Sequence, residues 1–174
     1  MTFKNQRELN SFLSQCGRNF VSQAAKYVQS EIKKNLNEGV YARRDSKYYT
    51  RTGQLLSAIK IGSLSETGSS RRRVGINVCF DTSVLTAGAT IYKNGRMIRF
   101  GQHVNRVDRS QKSNIPNWIE NGYTTFAGFG KRKKINGVHA FKKAKDSLKA
   151  MMNSAGVTGW ISGGSGNVKI QKTR

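Results

Sequence analysis

The chain has 174 residues, enough for one compact domain with a sizeable core and a short appendage. Thirty-one Lys and Arg stand against nine Asp and Glu, a net charge of +22, with 36% apolar residues and 18 glycines. No apolar run nears the roughly 18 residues that a membrane span needs, and the charge points to a polyanion or an acidic protein surface as partner.

The first ten residues are polar and lack an apolar h-region, so we expect no signal peptide, synthesis in a cytoplasm and no membrane partner. Leu9, Phe12, Leu13, Cys16, Phe20, Ala24, Tyr27, Val28, Ile32 and Leu36 recur at steps of three and four. This spacing predicts an amphipathic helix over residues 6–37, ending near Gly39. Lys33 and Lys34 fall at its C-terminal end, where the helix dipole favours cations. Cys16 and the distant Cys79 belong to no CxxC or Cys/His cluster. Each lies within an apolar pattern, which predicts buried, reduced thiols.

Residues 40–50 show no periodicity and predict a loop that offers Tyr41, Arg43, Arg44, Tyr48 and Tyr49 to a partner. Basic residues interleaved with tyrosines suit nucleic acid, through charge and stacking. They suit an Arg- and Tyr-rich protein interface equally well. Next comes Tyr48-Tyr49-Thr50-Arg51-Thr52-Gly53-Gln54-Leu55-Leu56-Ser57-Ala58-Ile59, which reads as a corner. Thr52 is a candidate N-cap for a short helical turn starting at Gly53. Ile59 and Ile61 then alternate with Lys60 and Gly62 and predict a strand over residues 59–63.

Residues 63–70 predict a turn. Val74, Ile76, Val78 and Phe80 alternate with Arg73, Gly75, Asn77 and Cys79, the clearest strand of the chain. Arg71, Arg72 and Arg73 just before it could touch phosphate or simply be solvated. Asn94-Gly95, with short apolar-polar runs on either side, predicts a type I′ hairpin in the same sheet. Residues 101–114 predict a loop, and residues 115–119 a short element with Pro116 near its start. Residues 124–136, with Phe126, Phe129 and the run Lys131-Arg132-Lys133-Lys134, predict an exposed basic loop.

Val138, Phe141, Ala144, Leu148, Met151 and Met152 predict a second amphipathic helix over residues 139–154. Val74, Ile76, Val78 and Phe80 should face Phe12 and Phe20 of the first helix and Phe141 and Leu148 of this one. Residues 156–174 are rich in Gly and basic residues, with too little apolar content to offset ordering. They predict a flexible tail appended to a single domain of residues 1–155. Trp160 and Ile161 would be its apolar anchors, as Phe126 and Phe129 would be for the basic loop. Residues 127–136 and 156–174 read as arms, mobile in the free subunit and folded on neighbours after assembly. The fold class expected is therefore α+β, a small antiparallel sheet flanked by two helices.

Catalysis requires converging acids, bases or nucleophiles. The acidic residues are scattered singly, and His103 and His139 lie far apart. His103, Asn105 and Asp108 share a loop, a weak nuclease pattern. Gly128-Phe129-Gly130-Lys131 is only loosely similar to a phosphate loop, with Thr125 and Arg132 where that motif needs Gly and Ser or Thr. We expect no enzyme, no cofactor and no metal.

Three pieces in order resemble the tail-component family of long-tailed bacteriophages, proteins of the neck or tail-completion region. Arg51-Thr52-Gly53-Gln54-Leu55, with Ser57 and Ile59, resembles the family's R-T-G-x-L-x-x-S-I. Trp118-Ile119-Glu120-Asn121-Gly122-Tyr123 is similar to its aromatic-x-E-x-G-T segment, with Tyr123 for Thr. His139-Ala140-Phe141 with Ala144 is similar to its P-F-x-x-P-A-like motif, with Ala140 where Pro is typical. The resemblance implies a structural virion subunit without catalytic residues. It would form a closed homo-oligomer, most simply a hexamer, between the head connector and the tail proteins and around packaged DNA. The alternative from charge alone is a basic nucleic-acid-binding protein.

Overall fold

The apolar stripe of the N-terminal segment folds as one long helix, α1 (Gln6–Leu36), followed by a π-helical turn, Asn37–Tyr41. The computed structural model describes residues 3–42, 53–67, 73–85, 92–93, 96–97, 113–127 and 131–173. Asn5 caps α1 by accepting from the Glu8 amide at 2.9 Å, and the Glu8 carboxylate accepts from the Lys4 amide at 2.8 Å. These reciprocal bonds satisfy donors that a helix start leaves open.

The chain continues through α2 (Gln54–Ser57), β1 (Ile59–Ile61), β2 (Ser65–Thr67) and β3 (Arg73–Phe80). After β4 (Tyr92–Lys93) and β5 (Arg96–Met97) come α3 (Ile115–Asn121), β6 (Gly122–Ala127) and β7 (Lys131–Asn136). The last elements are α4 (Ala140–Ser154), β8 (Trp160–Ser162) and β9 (Asn167–Thr173). The main sheet is antiparallel in the order β1-β3-β9-β8, and β2 also pairs with β3. The fold is α+β, with a long N-terminal helix, a small antiparallel sheet and a C-terminal helix.

Val74, Ile76, Val78 and Phe80 are buried on one face of β3, as their alternation requires. Val168 and Ile170 of β9 lie in register with Val78 and Ile76 and are fully buried. This face packs in one core with Val21, Ala24, Val28 and Ile32 of α1 and Phe141, Ala144 and Leu148 of α4. The sheet's other face carries Asn77, Cys79 and Gln171 half-buried, with Lys169 exposed.

Helix α1 is longer than the sheet it covers. A Cβ at Gly17 would touch the Val74 side chain at 3.6 Å, and the Gln29 amide donates to the Ile59 carbonyl at 2.8 Å. Between Gly17 and Gln29 the helix rises about 18 Å, matching the roughly 20 Å from Val74 to Phe80. About 16 Å of helix therefore runs on past the start of β3. In that overhang Phe12 is 39% and Leu13 42% exposed. Phe12 was expected in the core and is not there. Cys16, on the same overhang, is exposed, and Cys79 is only half-buried on the polar face of β3, so neither thiol has the burial expected of it.

Other expectations are corrected. Residues 156–174 are not a tail: β9 is an interior strand, hydrogen-bonded to β3 on one side and β8 on the other. Gly156 and Gly166 of this segment occupy turns at positive φ, and the Gly166 carbonyl accepts from the Phe80 amide at 2.8 Å. Within the basic loop expected over residues 124–136, β6 and β7 pair from Gly122↔Asn136 to Ala127↔Lys131. The turn expected over residues 63–70 contains β2. β4 and β5 flank positions 94 and 95 as a hairpin would, but as a separate two-stranded unit rather than part of the main sheet.

Candidate functional site

Of the three motif segments, the structure brings the second and third together. Glu120, in the last turn of α3, is 7% exposed and is the one buried charged residue among the described residues. Its carboxylate accepts from the amide of Phe141 at 3.0 Å and that of Lys142 at 2.8 Å. Both amides belong to the first turn of α4, where helix geometry leaves N–H groups without partners. A negative group there also meets the positive end of the helix dipole. Glu120 is thus a remote cap for α4, reaching it across the chain.

The cap is needed because α4 has none of its own. His139 occupies the N-cap position in the left-handed region, φ 55° and ψ 38°, and makes no side-chain capping bond. Phe141 and Ala144 follow, both fully buried. Gly122 ends α3 at φ 79° and ψ −176°, a conformation that residues with a Cβ avoid. A Cβ at that position would collide with the Ile135 carbonyl oxygen of β7. The Val138 amide donates to the Ile119 carbonyl at 2.7 Å, closing the junction. The motif residues Glu120, Gly122, His139, Phe141 and Ala144 therefore form the joint from which α3, the β6–β7 ribbon and α4 diverge.

The first motif lies elsewhere, against α1 and β1. Arg51 and Thr52 are outside the described residues, so the Thr52 cap is not described; Gly53 itself holds the N-cap position of α2 at φ 70°. Its carbonyl accepts from the amides of Leu56 at 2.9 Å and Ser57 at 3.3 Å. Leu55 is buried, the Ser57 hydroxyl donates to the Gln54 carbonyl at 2.9 Å, and Ile59 pairs opposite Phe80. These residues build the corner read from the sequence.

The partner candidates divide by position. Arg43, Arg44, Tyr48, Tyr49, Arg71 and Arg72 lie outside the described residues, as do His103, Asn105 and Asp108. Arg73 places its guanidinium 5.3 Å from the ring centroid of Trp160, a cation–π contact on the sheet. Trp160 is 61% exposed on the edge strand β8, and with Lys149, Met152, Val157 and Ile161 it lines a groove of about 340 Å³. Lys131, Arg132, Lys133 and Lys134 occupy β7. Because Lys131 opens a strand rather than a helix, it has no helix N-terminus on which a phosphate loop could be built. Among the described residues, no three of His, Cys, Asp and Glu gather as a metal site would require. No described helix is long and apolar enough to cross a membrane.

Sequence reasoning missed Glu120 as a cap. The available signal was an apolar helix start at Val138-His139-Ala140 with no Ser, Thr, Asp or Asn to cap it. Such a start calls for an acceptor from elsewhere in the chain. Compared with family models, curated proteins and solved structures, the chain matches none.

Proposed function

We propose that this chain is a non-catalytic structural subunit of a bacteriophage virion, acting in the neck or tail-completion region. Copies would close into a ring, most simply of six, joining the head connector to the tail proteins around packaged DNA. The observation that carries the reading is the use of the motif residues. Glu120, Gly122, His139, Phe141 and Ala144 serve architecture, setting the joint between two helices and a ribbon. Residues used for that purpose suit a subunit whose function is its shape.

Surface features support the same reading. The α1 overhang leaves Phe12 and Leu13 partly exposed, and β8 is an edge strand bearing exposed Trp160. Unpaired strand edges and apolar helix faces are what neighbouring subunits cover in assemblies. Six copies would carry roughly +130, which close packing requires DNA or acidic neighbours to balance.

The charge of +22 favours a second reading, a basic nucleic-acid-binding protein. Gel shifts of the chain with short duplex DNA at rising salt separate the two. A neck subunit associates weakly and loses the complex as salt rises. Tight binding that persists near physiological salt would favour the second reading. Labelling the chain in purified virions tests location: the label belongs at the head–tail junction, and a label confined elsewhere would refute the neck assignment.

A further inference from the structure

The β6–β7 ribbon concentrates charge in an element that the body of the protein does not absorb. Among the described residues its two strands pair only with each other, and α3 is the principal support of β6. Residues 122–136 contain four basic residues and no Asp or Glu. The basic residues are consecutive: Lys131, Arg132, Lys133 and Lys134 lie opposite Ala127, Phe126, Thr125 and Thr124. The acid at the ribbon's base, Glu120, is buried and committed to the amides of α4. At the same base Lys142 and Lys143 are exposed in the first turn of α4 and extend the positive surface.

Successive positions of a strand belong to opposite faces, so the four basic residues divide two and two between the faces of the ribbon. This division selects the partner. A flat acidic protein surface meets one face of a ribbon, whereas a nucleic-acid groove carries phosphates on both walls. Entering edge-on with β7 leading, the ribbon turns one face to each wall, and a sheet layer about 10 Å thick with its side chains fits a major groove about 12 Å wide. The major groove of an A-form RNA helix is deep and narrow and does not admit such an element.

We propose that the β6–β7 ribbon is a duplex-DNA contact, seated in the major groove through phosphate contacts from Lys131, Arg132, Lys133 and Lys134. Contacts from these four residues to phosphate fix the ribbon's position on the duplex and carry no sequence information. Its place in a virion rests on the ring reading above; the contact itself does not.

The test compares the full chain with two variants, each lacking four cations. One is Lys131→Gln, Arg132→Gln, Lys133→Gln and Lys134→Gln. The control is Lys4→Gln, Arg7→Gln, Lys26→Gln and Lys34→Gln, all exposed positions on α1 or just before it. Binding to a random-sequence duplex is measured between about 50 and about 200 mM salt. Each phosphate contact contributes about 0.9 to the slope of log K against log salt. The ribbon variant should therefore show a slope shallower by about 3 to 4, and the control a change below about 1. An unchanged slope in the ribbon variant, or an equal loss in the control, overturns the proposal.

Hydrogen exchange on the unmodified chain covers the case of a ribbon variant that fails to fold. Added duplex DNA should protect residues 122–136, and no protection there overturns the assignment. A duplex RNA of the same length should compete poorly, and equal competition would count against groove docking. Tight DNA binding at physiological salt would speak against the ring reading and leave the ribbon assignment standing, so the two can fail separately.

Discussion

Removing Glu120 strips two amides of their acceptor at once. Phe141 N–H is in a buried residue and Lys142 N–H is partly buried, so water replaces the carboxylate poorly. An unsatisfied buried donor costs about 1–3 kcal/mol, and Glu120→Ala should lower unfolding stability by at least that much in a urea titration. Glu120→Gln keeps one acceptor oxygen and should lose less. An unchanged urea midpoint in Glu120→Ala would show that the carboxylate does not cap α4. Gly122→Ala should cost about 1–3 kcal/mol for its backbone conformation alone, with the collision against the Ile135 carbonyl added. A melting temperature equal to that of the unmodified chain would contradict the φ of 79°. Both residues were visible in the sequence as parts of a resemblance, but their roles were not. A carboxylate and the amides it serves are separated by some twenty residues, and periodicity carries no trace of such a pairing.

Among the elements, α1, β3 and α4 were legible from three or more apolar residues at a regular step, and β1 from the shorter alternation of Ile59 and Ile61. β9 was not, although it is an interior strand. Its sequence, Asn167-Val168-Lys169-Ile170-Gln171-Lys172-Thr173, offers two apolar residues among basic and polar neighbours, behind a Gly-rich turn. Composition described the turn and concealed the strand. The β6–β7 ribbon was concealed in the same way, since its stability comes from backbone pairing and from the joint at Gly122. Two changes check this account. Val78→Asp places a carboxylate at a fully buried position opposite Val168, and it should unfold the domain or cost several kcal/mol. A soluble variant of unchanged thermal stability would mean that β3 does not face the core. Truncation after Gly156 deletes β8 and β9, removes the strand paired with Val74, Ile76 and Val78 on one side, and takes Val168 and Ile170 out of the core. The truncated chain should lose its cooperative melt, whereas a dispensable tail would leave the melting temperature unchanged.

For the whole molecule, the fold class was legible because two helices and one strong strand suffice to define an α+β layer arrangement. The extent of the sheet and the α1 overhang were not, because each depends on where elements of unequal length come into register. A monomer with an uncovered helix end, an edge strand bearing an exposed Trp and a charge of +22 has surfaces that suit assembly. Closed cyclic symmetry satisfies every such surface in every copy, which an open array does not. The most direct measurement is electron cryomicroscopy of virions that carry this chain. The account predicts a closed ring of copies at the head–tail junction encircling the DNA, with α1 overhangs and β8 edges buried between subunits. A single copy, an open array, or particles complete without the chain would contradict it.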